Sequence, residues 1–180
     1  MSHIERPSLE DIRILCYPDK RLRMKAAPLA EVDGFLGELA HRMDEIMLSH
    51  EGVGLAATQI GWPRQFIVVN PTMEPGKSMA LINPVIVERD GRVSQDEGCL
   101  SVPGIRSTVS RADYVKIRAR LLTGEEVEME GEGLMARLFQ HEIDHLEGRL
   151  FVDRVGAAGR VLLARRLKRL AQRQDPSDPE

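Results

Sequence analysis

Three stretches of the chain repeat apolar residues at intervals of three and four, which is the spacing of an amphipathic helix. The first covers about Phe35 to His50, with Asp33 as the expected N-cap. The second covers Leu134 to Leu146 and is expected to be central and largely buried. The third, about residues 157–173, surrounds its leucines with arginine and lysine and predicts a basic C-terminal helix. Residues 174–180 are predicted to be a disordered tail.

Between the first two helices the apolar residues form short runs or alternate with polar ones, which predicts strands. Phe66–Asn70 and Met79–Glu88 are such runs. Tyr114–Leu122 and Glu126–Glu130 alternate apolar residues with charged residues of opposite sign, which predicts an antiparallel hairpin with one solvated face. The predicted fold class is therefore α+β, with antiparallel sheets and hairpins packed around the central helix.

Length and composition fit one soluble domain over residues 1–173. The chain has 180 residues, of which 42% are hydrophobic and 29% are charged, and its net charge of −3 gives no reason to expect specific DNA binding. No apolar run approaches the ~20 residues of a membrane span, and the N-terminus lacks a signal-peptide layout. Two cysteines are too few for a disulfide framework, so we expect a cytoplasmic protein without a membrane partner.

The central helix carries the chemistry, because it contains His141, Glu142 and His145 in the pattern HExxH. At ~100° per residue the two histidines lie within about 40° of each other, so both imidazoles can bind one metal ion while Glu142 projects beside them as a general base. A surface histidine pair is the simpler alternative. The apolar neighbours predict burial instead, and buried polar groups need partners.

A metal site on this helix needs a third ligand. Cys99 is the other metallophilic residue in a predicted loop, between Gly98 and Pro103, where we expect an irregular backbone rather than a strand. An inert core thiol is the alternative for Cys99 alone. The small residues of 51–63 permit close approach of a ligand, although this segment alone favours a tight helix-to-strand connection.

Three segments resemble the signature motifs of peptide deformylases: Gly52–Gln59 (GVGLAATQ), Glu97–Ser101 (EGCLS) and Gln140–His145 (QHEIDH). The resemblance extends from about Ile14 to Val155 and leaves all three motifs intact. It implies a metal-dependent hydrolase that removes the formyl group from the N-terminal formylmethionine of nascent polypeptides and releases formate. Residues that flank the motifs vary within the family; examples in this chain are Cys16, Trp62 and Arg137. The preference for the substrate side chain is therefore left open.

The resemblance also implies roles for individual residues. The metal ligands would be Cys99, His141 and His145, which leave one coordination position open, as in catalytic sites. Glu142 would accept a proton from water and pass it to the leaving amine. The Gln59 side chain and the Leu100 N–H would stabilise the negative charge on the formyl oxygen. Members of the family generally use Fe(II), with Zn(II) or Ni(II) as replacements, although cysteine and histidine ligands alone suit zinc.

Substrate binding is predicted in less detail than the metal site. The resemblance places backbone pairing with the peptide near Val53 and Gly54, and small residues there would admit a formyl group but exclude larger acyl groups. Leu134 and Ile143 are expected to form walls of the methionine pocket. Loop arginines would orient the peptide or simply be solvated: Arg106 and Arg111.

Three alternatives stay open. The basic C-terminal helix fits a solvated face as well as a contact with ribosomal RNA. Another HExxH metallopeptidase would share the central helix but is expected to use His or Glu as its third ligand and to have a longer cleft. A non-catalytic binding protein on the same scaffold is expected to have lost Glu142 or a ligand, and this sequence retains them.

Overall fold

The structure is a computed structural model that describes residues 4–172. Three α-helices are present in this range: α1 (Gly34–Ser49), α2 (Gly133–Leu146) and α3 (Ala157–Ala171). They occur where the periodicity predicts them. Arg173 and the predicted tail lie outside the described residues. None of the described helices combines the length and hydropathy that a bilayer span requires.

Within residues 4–172, seven strands form two sheets: β1 (Gly54–Ala56), β2 (Phe66–Val69), β3 (Met79–Asp90), β4 (Val93–Gly98), β5 (Arg106–Arg111), β6 (Tyr114–Arg120) and β7 (Glu126–Glu132). The larger sheet has the order β1-β2-β3-β6-β7, and β4 pairs with β5 alone. All pairings between these seven strands are antiparallel, and helices pack on the sheets, so the α+β prediction is confirmed. Charges of opposite sign also meet across the predicted hairpin, where Lys116 Nζ lies 3.2 Å from Glu130 Oε1.

The sequence does not predict the small sheet, although the irregular backbone expected between Gly98 and Pro103 is present in the structure. Val93–Gly98 is a regular strand, and the chain becomes irregular only at Cys99. No apolar alternation marks β4 because its one buried residue is Glu97, and β5 buries Arg111 beside its single apolar residue, Val109. A strand whose buried positions are ionic gives no period-two hydrophobic signal.

Helix α1 packs against β1 and β2 and forms one core cluster with them. The Asp33 side chain caps it by accepting a hydrogen bond from the Leu36 N–H, as the sequence predicts. Its buried face includes Leu39 and Met43, which pack with Trp62 and Phe66. The helix ends at Ser49, and Gly52 leads the chain into β1, so α1 positions the first motif.

Helix α2 lies on the larger sheet and is buried from Ala136 to Leu146. Phe139 and Ile143 pack against residues such as Ile67 and Ile117. Complete burial of a side chain as large as Phe139 contributes about 1.5–3 kcal/mol. Because nearly the whole surface of α2 is covered, each polar group on it requires a partner inside the protein.

Helix α3 docks through Leu163 and Leu170 on a third cluster that includes Val102 and Ile105. Arg166 Nη2 also donates a hydrogen bond of 2.6 Å to the Gly104 carbonyl. The basic helix is therefore packed against the segment that follows Cys99, with most of its charged residues exposed.

Candidate metal centre

Three possible metal ligands meet where the end of β4 reaches α2. His141 and His145 are one helical turn apart, and their Nε2 atoms are separated by 3.2 Å. Cys99, immediately after β4, has its Sγ 3.2 Å from His145 Nε2. These three atoms lie within 4.8 Å of one another, and no other such group of metallophilic side chains occurs among the residues that the structure describes.

The donor set and its surroundings fit a divalent metal ion. A thiolate and two imidazoles suit zinc or iron, and three protein ligands leave an open position. His141 Nδ1 lies 2.7 Å from Glu97 Oε1. A carboxylate only accepts hydrogen bonds, so the proton belongs on Nδ1 and the lone pair of Nε2 faces Cys99 and His145. The ring is thus held in the tautomer that binds metal.

Glu97 is a functional candidate that the sequence analysis missed. Arg111 Nε donates to both of its oxygens, at 3.0 and 3.1 Å, and Arg137 Nη1 donates to Oε2 at 3.4 Å. Burial acts to raise the pKa of Glu97, but His141 and Arg111 outweigh it and hold the pKa at about 2. Metal-binding histidines usually donate their second N–H to such a group. From the sequence, this rule predicts that a carboxylate accepts the second N–H of His141. Only the position of β4 in the structure identifies that carboxylate as Glu97.

Glu142 lies beside the three ligands without joining them. Its side chain is buried, with the residue 2% exposed, and Oε2 has no hydrogen-bond partner among the described residues. Burial raises its pKa to about 7, against the opposing charge of His141. A carboxyl group with that pKa can both take up and release a proton near neutral pH.

The first motif places an amide next to the ligands. Gln59 Oε1 accepts a hydrogen bond of 2.8 Å from the Ala56 N–H, which fixes the orientation of the side chain. Its Nε2 donates to Ser101 Oγ at 3.1 Å and approaches Cys99 Sγ at 3.6 Å. The amide N–H groups therefore face the second motif, where Leu100 follows Cys99.

A cavity of about 480 Å³ opens onto two of the possible ligands, Cys99 and His141, and onto Glu142. All of the predicted site residues line it except His145, Ile143 and Arg111. Arg111, expected in a loop, lies at the end of β5 and is buried. His145 is buried beneath it, and Leu134 stands at its rim with 54% of its surface exposed. Arg106 is an exposed lining residue whose Nε lies 3.1 Å from Asp96 Oδ2.

The predicted role of Ile143 as a pocket wall is wrong in this structure. Ile143 is two residues beyond His141, which turns it ~200° around the helix axis. It packs instead in the core between α2 and the larger sheet. Helical spacing could not reveal this, because the sequence does not state which face of α2 meets the sheet.

Comparison with known proteins decides the family of this site. The family model of polypeptide deformylases matches residues 12–161. The chain belongs to the polypeptide deformylase family. It is 45% identical over 160 residues to the peptide deformylase of Alkalilimnicola ehrlichii, with 88% of this chain and 90% of that protein covered. The peptide deformylase of Buchnera aphidicola is 38% identical over 159 residues, with 88% and 92% covered.

Solved deformylase structures share the fold. A plant peptide deformylase superposes with a TM-score of 0.88 at 40% identity, with 92% of each chain covered. A peptide deformylase from Legionella pneumophila gives a TM-score of 0.83 at 41% identity, with 91% of this chain and 99% of that chain covered. The family match over residues 12–161 includes both sheets and α2, and with them all elements that supply the candidate metal centre.

Arg137 is a further residue of this deformylase cavity whose role the sequence analysis left open. It is only 6% exposed. Its guanidinium donates to Gln95 Oε1 at 3.2 Å and to the carbonyls of Val109 and Val93 at 3.2 and 3.3 Å. Together with its contact to Glu97, these bonds join α2 to both strands of the small sheet. Arg137 therefore fixes the wall that carries Glu97 and leads to Cys99.

Proposed function

We propose that the chain hydrolyses the formyl amide of N-terminal formylmethionine in nascent polypeptides. One water is consumed, the C–N bond of the formamide breaks, and formate and a free amine are released. The observation that carries this proposal is the unpaired, buried carboxylate of Glu142 in the same cavity as Cys99 and His141. Membership of the deformylase family supports it.

The proposed cofactor is one divalent metal ion held by Cys99, His141 and His145. We propose Fe(II) in the cell, with Zn(II) or Ni(II) as replacements. Such an ion supplies a Lewis acid that activates water and polarises the formyl carbonyl. The preference for iron rests on the family resemblance, since the donor set alone suits zinc.

Glu142 then acts as the proton carrier. It accepts a proton from the attacking water and delivers that proton to the nitrogen of the leaving amine. Its raised pKa of about 7 suits both steps. As negative charge develops on the formyl oxygen, Gln59 Nε2 and the Leu100 N–H are the proposed donors to it. Gln59 needs little reorganisation for this, because Ala56 already fixes its amide.

The peptide is proposed to bind along β1. This strand forms one edge of the larger sheet, with no strand paired on its outer side among the described residues, and an extended peptide is proposed to pair there near Val53 and Gly54. Leu134 is the proposed apolar wall at the rim, and Arg106, which also lines the cavity, is proposed to orient the peptide beyond it. A Cβ atom at position 54 would lie 2.3 Å from Glu142 Oε1, and we propose that this crowding opposes acyl groups larger than formyl.

Residues 1–173 are proposed to act as one catalytic domain in the cytoplasm, with the ribosome as a partner of α3. The exposed arginines and lysine of α3 support an electrostatic contact with ribosomal RNA; they are Arg160, Arg165, Arg166, Lys168 and Arg169. A solvated helix surface is the alternative and predicts no salt-dependent association.

The test is a comparison of substrates with the metal-loaded protein. We expect formate release from a formyl-methionyl peptide and no cleavage of the same peptide without the formyl group. Cleavage of an internal peptide bond instead would assign the chain to an endopeptidase-like function. Binding without turnover would support the scaffold-protein alternative.

A further inference from the structure

A second cavity, of about 490 Å³, lies on another face of α2 from the candidate metal centre. Gln140, Ile143, Asp144 and Glu147 of the α2 region line it, whereas Leu138, His141 and Glu142 line the first cavity. The turn between β3 and β4, the end of β5 and the segment after α2 that carries Arg149 and Arg154 complete its walls. The catalytic proposal makes no use of this second cavity, which we call the arginine cavity.

Positive charge is in excess around the arginine cavity. Five arginines line it, against three carboxylates, which leaves an excess of two positive charges; the arginines are Arg89, Arg92, Arg111, Arg149 and Arg154, and the carboxylates are Asp90, Asp144 and Glu147. Asp144 is already paired with Arg111 at 2.8 Å and with Arg154. Glu147 is paired with Arg149 at 2.9 Å. The acidic residues therefore do not neutralise the cavity.

Arg111 provides the second observation. Its side chain is only 3% exposed, and two of its nitrogens are engaged, Nε by Glu97 and Nη1 by Asp144. Its Nη2 is buried and has no hydrogen-bond partner among residues 4–172. A buried guanidinium nitrogen without a partner is costly, because it has lost water and gained no acceptor. The residue that carries it lines the arginine cavity.

We propose that the arginine cavity binds an oxyanion of the phosphate class. Several guanidinium groups around one concavity match a group with two negative charges and at least three acceptor oxygens. Arg92 is held at the rim because its Nε donates to Ser110 Oγ at 2.8 Å, and Arg89 is the neighbouring exposed arginine. The volume exceeds that of a single oxyanion, so the phosphate of a larger molecule also fits.

The test is isothermal titration of the metal-loaded protein with sodium phosphate at constant ionic strength. The double variant Arg89→Ala/Arg92→Ala removes two rim guanidiniums without disturbing the buried ion pairs of Arg111. Loss of two charge-assisted contacts is expected to weaken phosphate binding by about tenfold or more. The matched control is Arg13→Ala/Arg118→Ala, which removes two exposed charges from residues that line neither cavity. It is expected to change the affinity less than about twofold.

A second variant tests the floor of the cavity. Arg111→Lys keeps the charge but loses the planar set of donors, and its thermal unfolding is measured first because Arg111 is buried. If this variant does not fold, the rim variant alone decides. Equal phosphate affinity in the rim variant and its control overturns the proposal, because it places the anion at the metal centre or on general surface charge.

A second titration, with a short single-stranded RNA, distinguishes two sources of the phosphate: the RNA backbone and a small free phosphate. Competition between RNA and inorganic phosphate, both weakened by the rim variant, supports a phosphate of the RNA backbone as the ligand. Phosphate binding that RNA does not displace supports a free phosphate or a small phosphate ester. RNA binding that the rim variant leaves unchanged lies elsewhere and counts against the RNA source.

Discussion

Gly54 lies so close to Glu142 that a Cβ atom added to the glycine would be 2.3 Å from Glu142 Oε1 and 2.5 Å from Leu138 Cδ1. The glycine belongs to β1 and the glutamate to α2, so this contact sets the distance between the proposed peptide-binding edge and the proposed base. A side chain at position 54 has to displace the carboxylate or separate the two elements.

Gly54→Ala is therefore expected to lower turnover more than it lowers stability. A shift of about 1 Å in a catalytic group costs on the order of 10²-fold in rate, and we expect a loss of this size in kcat with metal content unchanged. Gly37→Ala in α1 is the control, because nothing lies within 4 Å of its added Cβ. It should keep full activity and gain up to about 1 kcal/mol of stability. Normal turnover in Gly54→Ala would show that β1 and α2 can separate freely.

Measuring the metal content of variant proteins distinguishes the role of Glu142 from that of the metal ligands. Glu142→Gln keeps size and hydrogen bonding but removes the base, so we expect unchanged metal stoichiometry and a loss of roughly 10²–10⁴-fold or more in turnover. Cys99→Ala and His145→Ala should lose metal and activity together, because only two ligands remain. Metal per chain and the rate of formate release are measured for all three. Loss of metal in Glu142→Gln would instead make this residue a ligand.

Glu97→Gln tests the support of His141. The amide no longer carries the charge that holds the His141 N–H and the two buried arginines, so we expect metal affinity to fall about 10–100-fold. Stability should fall as well, since Arg111 and Arg137 lose their anionic partner. Competition with a chelator gives the affinity. Glu130→Gln, an exposed carboxylate paired with Lys116, is the control and should change stability by less than about 0.5 kcal/mol.

The identity of the ion is tested by reconstitution. Protein isolated in air is expected to contain zinc, nickel or another replacement, because Fe(II) in such a site is labile to oxygen. The highest rate of formate release is expected after anaerobic loading with Fe(II). Metal analysis accompanies each assay, and equal turnover with zinc and iron under anaerobic conditions would contradict the preference for iron.

Ribosome binding is tested without removing α3, because Leu163 and Leu170 are part of the core. The triple variant Arg165→Glu/Lys168→Glu/Arg169→Glu changes only exposed positions of the helix. We expect it to abolish co-sedimentation with ribosomes at low salt and to leave formate release from a short peptide unchanged. Arg13→Glu/Arg118→Glu serves as a charge-reversal control. Unchanged co-sedimentation of the triple variant would leave α3 as a solvated surface.

The sequence predicts those elements whose buried side chains are apolar. Helix α1 and the β6–β7 hairpin each place hydrophobic residues on one face, so their periodicity is visible in the chain alone. The small sheet is invisible to this reasoning because Glu97 and Arg111 occupy its buried positions. Their pairing becomes evident only when β4 and β5 are already side by side.

The same distinction applies to the site. His141 and His145 are related by one helical turn, so their convergence follows from local geometry. The contact between Gly54 and Glu142 and the hydrogen bond between Glu97 and His141 join segments distant in sequence, and no spacing rule predicts them. The prediction that Ile143 forms a pocket wall fails for a related reason, because the orientation of α2 on the sheet depends on the tertiary structure.

The two edges of the larger sheet differ in a way that bears on self-association. Exposed strand edges are templates for pairing between copies, which leads to aggregation. On β7, the outer edge, four exposed glutamates alternate along the strand: Glu126, Glu128, Glu130 and Glu132. A second copy that paired there in the antiparallel direction would bring like charges together. The opposite edge, β1, has only three residues, all buried. The sheet is thus protected from its own copies by charge at one end and by shortness at the other, and only the short end leads to the cavity.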